Sequence, residues 1–123
     1  MTELQLGRLQ MKIMRVLWEK KRATALEITG ALNENEPVAH STVQTVIRML
    51  EQKSVVAHDV DNRTFIFYPL VKNEKITRHA VQDFIDHVFA GSAEGLVSYI
   101  IKNKYISSKE FKKIQNLFGD EDK

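Results

Sequence analysis

The chain has 123 residues, 43% hydrophobic and 28% charged, which is enough for one domain with a core, or a domain with a modest appendage, and too apolar for general disorder. It contains no cysteine, which excludes disulfides, thiolate catalysis and thiolate metal sites; no apolar run approaches the ~18 residues of a membrane span and no basic-then-apolar start suggests a secretory signal, so a cytoplasmic chain without direct membrane insertion is expected. The net charge is only +2, with nine Lys/Arg against eight Asp/Glu on either side of Leu70, so any case for nucleic-acid binding rests on where the cations sit.

Leu6 to Lys21 reads as the first helix, because Leu6, Leu9, Ile13, Val16 and Leu17 keep to one stripe while Arg8, Lys12, Arg15 and Glu19 stand off it. Trp18, beside that stripe, is expected in the core. Lys12, Arg15, Lys20, Lys21 and Arg22 gather within eleven residues, a cluster that is ordinarily a solvated face. Thr24 followed three residues later by Glu27 is a capping box: the hydroxyl takes an orphan helix N–H and the carboxylate reaches back. A second helix therefore starts there, with Leu26, Ile28, Ala31 and Leu32 as its buried side and an end between Asn33 and Glu36, ahead of Pro37.

His40 to Lys53 is the third helix. Val43, Val46, Ile47 and Leu50 fall at i, i+3, i+4 and i+7 and require burial. Ser41-Thr42-Val43-Gln44 fits the capping pattern again, predicting Ser41 as the cap. The opposite face carries Ser41, Gln44, Thr45, Arg48 and Gln52, short or fork-shaped side chains that can address base edges and phosphates rather than the Lys/Glu mixture of a merely soluble surface. Taken alone this is an amphipathic helix light in acid; after a capped helix and a connection near seven residues it reads as the recognition helix of a helix-turn-helix.

After Lys53 the period changes to alternation. Ser54 to Val60 and the β-branched and aromatic Thr64 to Tyr68 read as two strands around the turn residues Asp61-Asn62-Arg63, closed by Pro69. A hairpin directly after a recognition helix is a wing, with Arg63 at its tip. The candidate DNA contacts are thus Ser41, Gln44, Thr45 and Arg48 toward the major groove, Thr42 and His40 near phosphates, and Arg63 on the wing.

From Lys72 the chain returns to helix. Ile76, Ala80, Val81, Phe84, Ile85, Val88 and Phe89 cover more than one face of a helix ending near Phe89, and Gly91 and Ser92 break it. Leu96, Val97, Tyr99, Ile100 and Ile101 form a fifth helix. Ser107 or Ser108 caps a sixth, striped by Phe111, Ile114, Leu117 and Phe118, with Gly119 to Lys123 expected to fray. Apolar surface this broad with no sheet to cover it suggests dimerisation, through Ile76, Phe84, Val88, Leu96, Ile100, Phe111, Ile114 and Phe118. The expected fold is mainly α with a small β-hairpin: an N-terminal winged helix-turn-helix over residues 1–71, then a C-terminal helical dimerisation region over 72–123.

No nucleophile elbow, phosphate-cradling glycine loop or HExxH motif is present, and nothing argues for an enzyme or a cofactor. His79, Asp83 and His87 share one side of the fourth helix at i, i+4 and i+8, but the two histidines stand two turns apart, too far for one ion to reach both. No metal site is expected, and a solvated helix face is the plain reading.

With these residues in place, the chain resembles the penicillinase-repressor (BlaI/MecI-type) family of bacterial transcription regulators. The resemblance rests on the Leu9-to-Trp18 helix ending Trp-Glu-Lys-Lys, the Thr24-Ala25-Leu26-Glu27-Ile28 start of the second helix and the Ser41-to-Leu50 third helix. It continues through Phe65-Ile66-Phe67-Tyr68 in the wing and Phe89-Ala90-Gly91-Ser92 followed by Leu96-Val97. It implies a homodimeric repressor on dyad-symmetric double-stranded DNA operators, the winged helix on DNA and the C-terminal helices joining two chains. In the best-known members a membrane-bound sensor with a zinc-protease domain responds to β-lactam, and the repressor is cut within the fifth helix. The resemblance places that cut at Tyr99-Ile100, with Tyr99 standing where those members have Asn. A copper-responsive branch senses metal through C-terminal cysteines, which this chain lacks. The rival readings are a winged helix used as a protein–protein module and a one-component regulator whose C-terminal helices hold a small ligand.

Overall fold

The computed structural model describes residues 6–121, with side chains through Phe118. Six helices and one hairpin follow in the order α1 (Arg8–Lys20), α2 (Ala25–Asn33), α3 (His40–Gln52), β1 (Val56–Asp61), β2 (Thr64–Pro69), α4 (Asn73–Val88), α5 (Ala93–Lys102) and α6 (Ser108–Glu121). The architecture is mainly helical with one antiparallel hairpin, as the periodicity predicts. Two compact units divide at Val81/Gln82, inside α4.

The first unit is built on α1 to α3. Ile13, Met14 and Leu17 of α1 and Val43, Ile47 and Leu50 of α3 are all at most 1% exposed, and Ile28 of α2 and Phe67 of β2 complete the contact. Each such side chain contributes about 1.5–3 kcal/mol through removal from water. Trp18 lies partly buried against this core, its indole N–H donating to the Val71 carbonyl at 2.9 Å.

Thr24 caps α2 as its spacing demands: the Glu27 N–H donates to Thr24 Oγ1 at 3.1 Å, and the Thr24 N–H donates to Glu27 Oε1 at 2.8 Å. Leu26, expected in the core, is instead 70% exposed. The buried edge of α2 is Ile28, Thr29 and Leu32, and Leu26 lies two residues, about 200° of turn, from Ile28. Thr29 tolerates burial because its hydroxyl donates to the Ala25 carbonyl at 2.8 Å and meets His40 Nδ1 at 3.0 Å.

α3 also starts earlier than its sequence suggests. Ala39 is the N-cap, with no side-chain cap, and Ser41 lies inside the first turn, where its carbonyl accepts from Thr45 Oγ1 at 3.0 Å. A contact made elsewhere outweighs the local capping signal. The Asn33 amide holds both the N–H and the carbonyl of Val38 at 3.0 Å, and His40 is anchored on Thr29, so the approach to the helix is set from α2.

β1 and β2 pair from Val56↔Pro69 to Asp61↔Thr64, and the two residues between them have positive φ, 51° at Asn62 and 69° at Arg63. That is the primed turn whose twist matches the flanking strands. The sequence suggested two strands; a third backbone segment joins them, because Ala23 and Phe67 exchange both hydrogen bonds, at 3.0 and 2.8 Å.

In the second unit, Gly91 takes φ 84° after α4 and its N–H donates to the Ile85 carbonyl, a left-handed ending that favours glycine. Ser92 Oγ accepts the Gly95 N–H at 2.9 Å to cap α5, and Ser107 forms a capping box with Glu110 at α6. Phe84, Phe89, Tyr99 and Tyr105 make a run of ring contacts 5.8–6.3 Å apart. No described side chain of this unit is fully buried. α6 runs through Glu121, accommodating Gly119 inside the helix at a cost of about 1 kcal/mol; of the end expected to fray, Asp122 and Lys123 lie outside the described residues.

The two caps make a contrast that denaturation can check. Thr24→Ala should lower stability by about 1 kcal/mol, whereas Ser41→Ala should stay within about 0.5 kcal/mol. Equal losses in a urea titration would contradict the assignment.

Candidate nucleic-acid interface

Burying Val43, Ile47 and Leu50 turns the opposite side of α3 outward, and Ser41, Thr42, Gln44, Thr45 and Arg48 are all exposed. His40, Gln44 and Arg48 line a concave surface whose other walls are the start of α2 and the wing, including Arg63 and Phe65. Helix and wing residues that lie fifteen to twenty-five positions apart in sequence thus share one hollow with two guanidinium groups. Ser41, Thr42 and Thr45 lie outside it, on the exposed part of α3.

The tautomer of His40 follows from its partner. Thr29 Oγ1 has a single proton and donates it to the Ala25 carbonyl, so it accepts from His40 Nδ1–H and leaves Nε2 for another group.

The wing is fastened to the helices by contacts no local pattern announces. Arg22, noted only as part of a basic run, pairs with Asp59 at 2.6 Å and places its guanidinium 5.1 Å from the centre of the Tyr68 ring. His58 of β1 meets Glu51 of α3 at 2.5 Å and stacks on Phe65. The basic run does not form one patch: Lys12 pairs with Glu36 at 2.9 Å and lines, with Arg8 and Arg15, a different hollow between α1 and the α2–α3 connection. That hydrogen bond, then the ammonium charge itself, holds the Glu36 carboxyl below the usual carboxylate range.

In the second unit, Phe84, Val88, Leu96, Tyr99 and Ile100 line an open apolar groove with Phe89 and Tyr105. Phe111, Ile114 and Phe118 stand exposed on α6, at 36%, 38% and 66%. Ile76, expected among the dimer contacts, lies in the first unit with no exposed surface, so it serves the packing of its own chain. Tyr99 is half exposed within α5, and its carbonyl accepts from both the N–H and the side-chain amide of Asn103.

His87 Nδ1 donates to the Asp83 carbonyl at 2.9 Å and lies 3.1 Å from its carboxylate. The backbone hydrogen bond first, then the Asp83 charge, raise its proton affinity above that of an ordinary imidazole. Among the described residues no three His, Asp or Glu side chains converge as a metal site.

Three helices, a hairpin and an exposed recognition face define a winged helix-turn-helix. The solved structure of the oxidized form of MarR from E. coli superposes on it with a TM-score of 0.57 at 13% identity, covering 95% of this chain and 76% of that one, a likeness of fold. The penicillinase repressor family profile matches residues 6–120. The methicillin resistance regulatory protein MecI of Staphylococcus aureus (strain N315) is 26% identical over 108 residues, 88% of each chain, and a penicillinase repressor of Staphylococcus aureus is 21% identical over 118 residues, 96% of this chain and 94% of that one. The chain belongs to the penicillinase repressor family, and as a winged-helix transcriptional repressor it is a regulator rather than an enzyme. Among the described residues no helix is long and apolar enough to cross a membrane.

Because a raised folded-state proton affinity favours the native state at low pH and fades as pH rises through the folded value, the His87 contact should be strongest in acid. By NMR, the His87 imidazole should titrate above an ordinary histidine. Asp83→Asn should bring it partway back, since the backbone carbonyl remains; no movement would remove the carboxylate from the account.

Proposed function

We propose that this chain acts in the cytoplasm as a homodimer on double-stranded DNA operators of dyad symmetry, each copy laying α3 in the major groove and its wing on the flanking backbone. The observation that carries the reading is the shared concavity of Gln44, Arg48 and Arg63, two guanidinium groups and an amide on one surface. Arg48 and Gln44 read base edges, joined by Ser41 and Thr45; Thr42 and His40 stand near phosphates, and Arg63 reaches the backbone or a narrowed minor groove.

Only two guanidinium groups in the hollow and a net charge of +2 make one copy a weak binder. Joining two copies makes the second half-site contact intramolecular and raises affinity without any new contact. The apolar groove of Phe84, Val88, Leu96 and Ile100 and the exposed α6 stripe of Phe111, Ile114 and Phe118 supply the joining surface. Release is proposed at Tyr99-Ile100, cut by a membrane-bound zinc-protease partner.

Arg48→Ala should cost about 1–3 kcal/mol at the base pair it reads and relax preference there, in a binding titration across single-base operator variants. Arg63→Gly fits the positive φ at that position, so it should leave stability within about 1 kcal/mol while weakening all sequences alike and lowering the salt slope by about 1. Loss of selectivity on removing Arg63, or unchanged binding on removing Arg48, would overturn those roles. Phe118→Asp should shift sedimentation toward the monomer and lower operator affinity about a hundredfold or more. A variant that stays dimeric would clear α6 from the interface.

A further inference from the structure

One polar contact ties the proposed recognition helix to the wing. His58 of β1 places Nδ1 2.5 Å from Oε2 of Glu51, in the last turn of α3. Its ring stacks on Phe65 with centroids 3.9 Å apart and planes 9° from parallel, and meets Phe67 edge-on at 5.6 Å. The two side chains are only 25% and 32% exposed. A carboxylate oxygen can only accept, so Nδ1 carries a proton in either charge state of the ring, and a second proton goes to Nε2. Glu51 and Phe65 line the same concavity as Gln44, Arg48 and Arg63. The pair therefore sets a net charge, negative with a neutral ring and zero with a charged one, beside the surface assigned to DNA.

We propose that His58 and Glu51 are a proton-linked positioning pair for the wing, through which binding of duplex DNA takes up one proton at His58 Nε2. This rests on the DNA-interface reading above. Imidazole is the side chain suited to exchanging a proton near neutral pH. With a neutral ring, the Glu51 carboxylate repels incoming phosphates. Protonation from solvent cancels that charge, lays an imidazolium on the face of Phe65 and makes the bond to Glu51 charge-assisted, which tightens the tie between β1 and α3.

The charged and titratable groups around the pair give the step its direction. Arg48 and His40 on α3 and Arg63 at the turn face the same hollow, whereas Thr24, Ala25 and Leu26, at the start of α2, bring no charge to it. Asp59, one residue along β1, is taken up by Arg22 at 2.6 Å. Phosphates drawn into the hollow by these cations favour positive charge beside it, so proton uptake is concentrated in the binding step. By reciprocity the protonated ring raises DNA affinity. The bound state holds the proton more tightly, so the gain is full at low pH and lost as pH rises through the bound-state value.

The test is an anisotropy titration of mixed-sequence duplex DNA with the full chain at fixed low salt, from about pH 6 to about pH 8, where imidazole titrates. Wild-type affinity should fall several-fold over that range, by no more than about tenfold per pH unit for one proton. His58→Gln keeps a donor for Glu51 but cannot take the second proton, so its slope should vanish, leaving the high-pH affinity throughout. Glu51→Gln should also flatten the profile while raising affinity at high pH, because a repelling charge is gone; a purely structural role predicts a loss instead. It carries the test should His58→Gln fail to fold. A wild-type slope in His58→Gln, or wild-type binding that depends on salt but not on pH, overturns the proton linkage and leaves the DNA interface standing. Absence of salt-dependent binding at every pH overturns the interface reading and this proposal with it.

Discussion

The packing of α3 against α1 and α2 is the contact on which the first unit depends. Val43, Ile47 and Leu50 are at most 1% exposed, and their burial against Ile13, Met14 and Leu17 fixes both the position of α3 and its rotation about its own axis. Rotation matters more than position. A helix turns about 100° per residue, so slipping the stripe by one residue would carry Arg48 and Gln44 away from the outer face. The polar face needs no bond of its own to be presented; it is presented because the other face has nowhere else to go.

The wing is held differently. It has two buried anchors, Val56 at the start of β1 and Phe67 with its exchanged hydrogen bonds to Ala23, and otherwise depends on polar and aromatic contacts: Arg22 with Asp59 and Tyr68, and His58 with Glu51 and Phe65. Exposed ion pairs contribute little to stability, which makes such contacts better suited to aiming a hairpin than to holding a fold together. Arg63 occupies a left-handed position that an asparagine or glycine fills more easily, consistent with a side chain kept there for what it reaches.

The second unit has the opposite economy. Its helices are individually well capped, by Ser92 and by the Ser107–Glu110 box, yet their apolar faces stay open to solvent. Good local signals with no buried side chain among the described residues suit the proposed association of two copies. Family membership and the proposed dimer therefore rest on different grounds: the first on similarity along residues 6–120, the second on surface that a lone chain leaves uncovered.

Short-range physics made much of this legible in the sequence. The Thr24–Glu27 box, the apolar stripes, the Asn62-Arg63 turn and the Gly91-Ser92 break are each decided by residues within a few positions of one another, and the helices and hairpin follow from them. Leu26, Ser41 and Ile76 show where that reasoning stops. Ser41 has the right spacing for a cap, but Asn33 and Thr29 hold the approach to α3 in another geometry. Leu26 is apolar but on the wrong side of its own helix, and Ile76 lies inside the first unit although most of α4's apolar residues stay exposed. The pairing of Arg22 with Asp59 and the strand contact of Ala23 with Phe67 span 37 and 44 residues, a separation at which sequence carries no pattern. Composition and periodicity determined that α3 has an apolar face and a polar one; only the tertiary structure brought Arg48, Glu51 and Arg63 around one hollow and His58 onto Glu51, because long-range packing alone decides which distant side chains become neighbours.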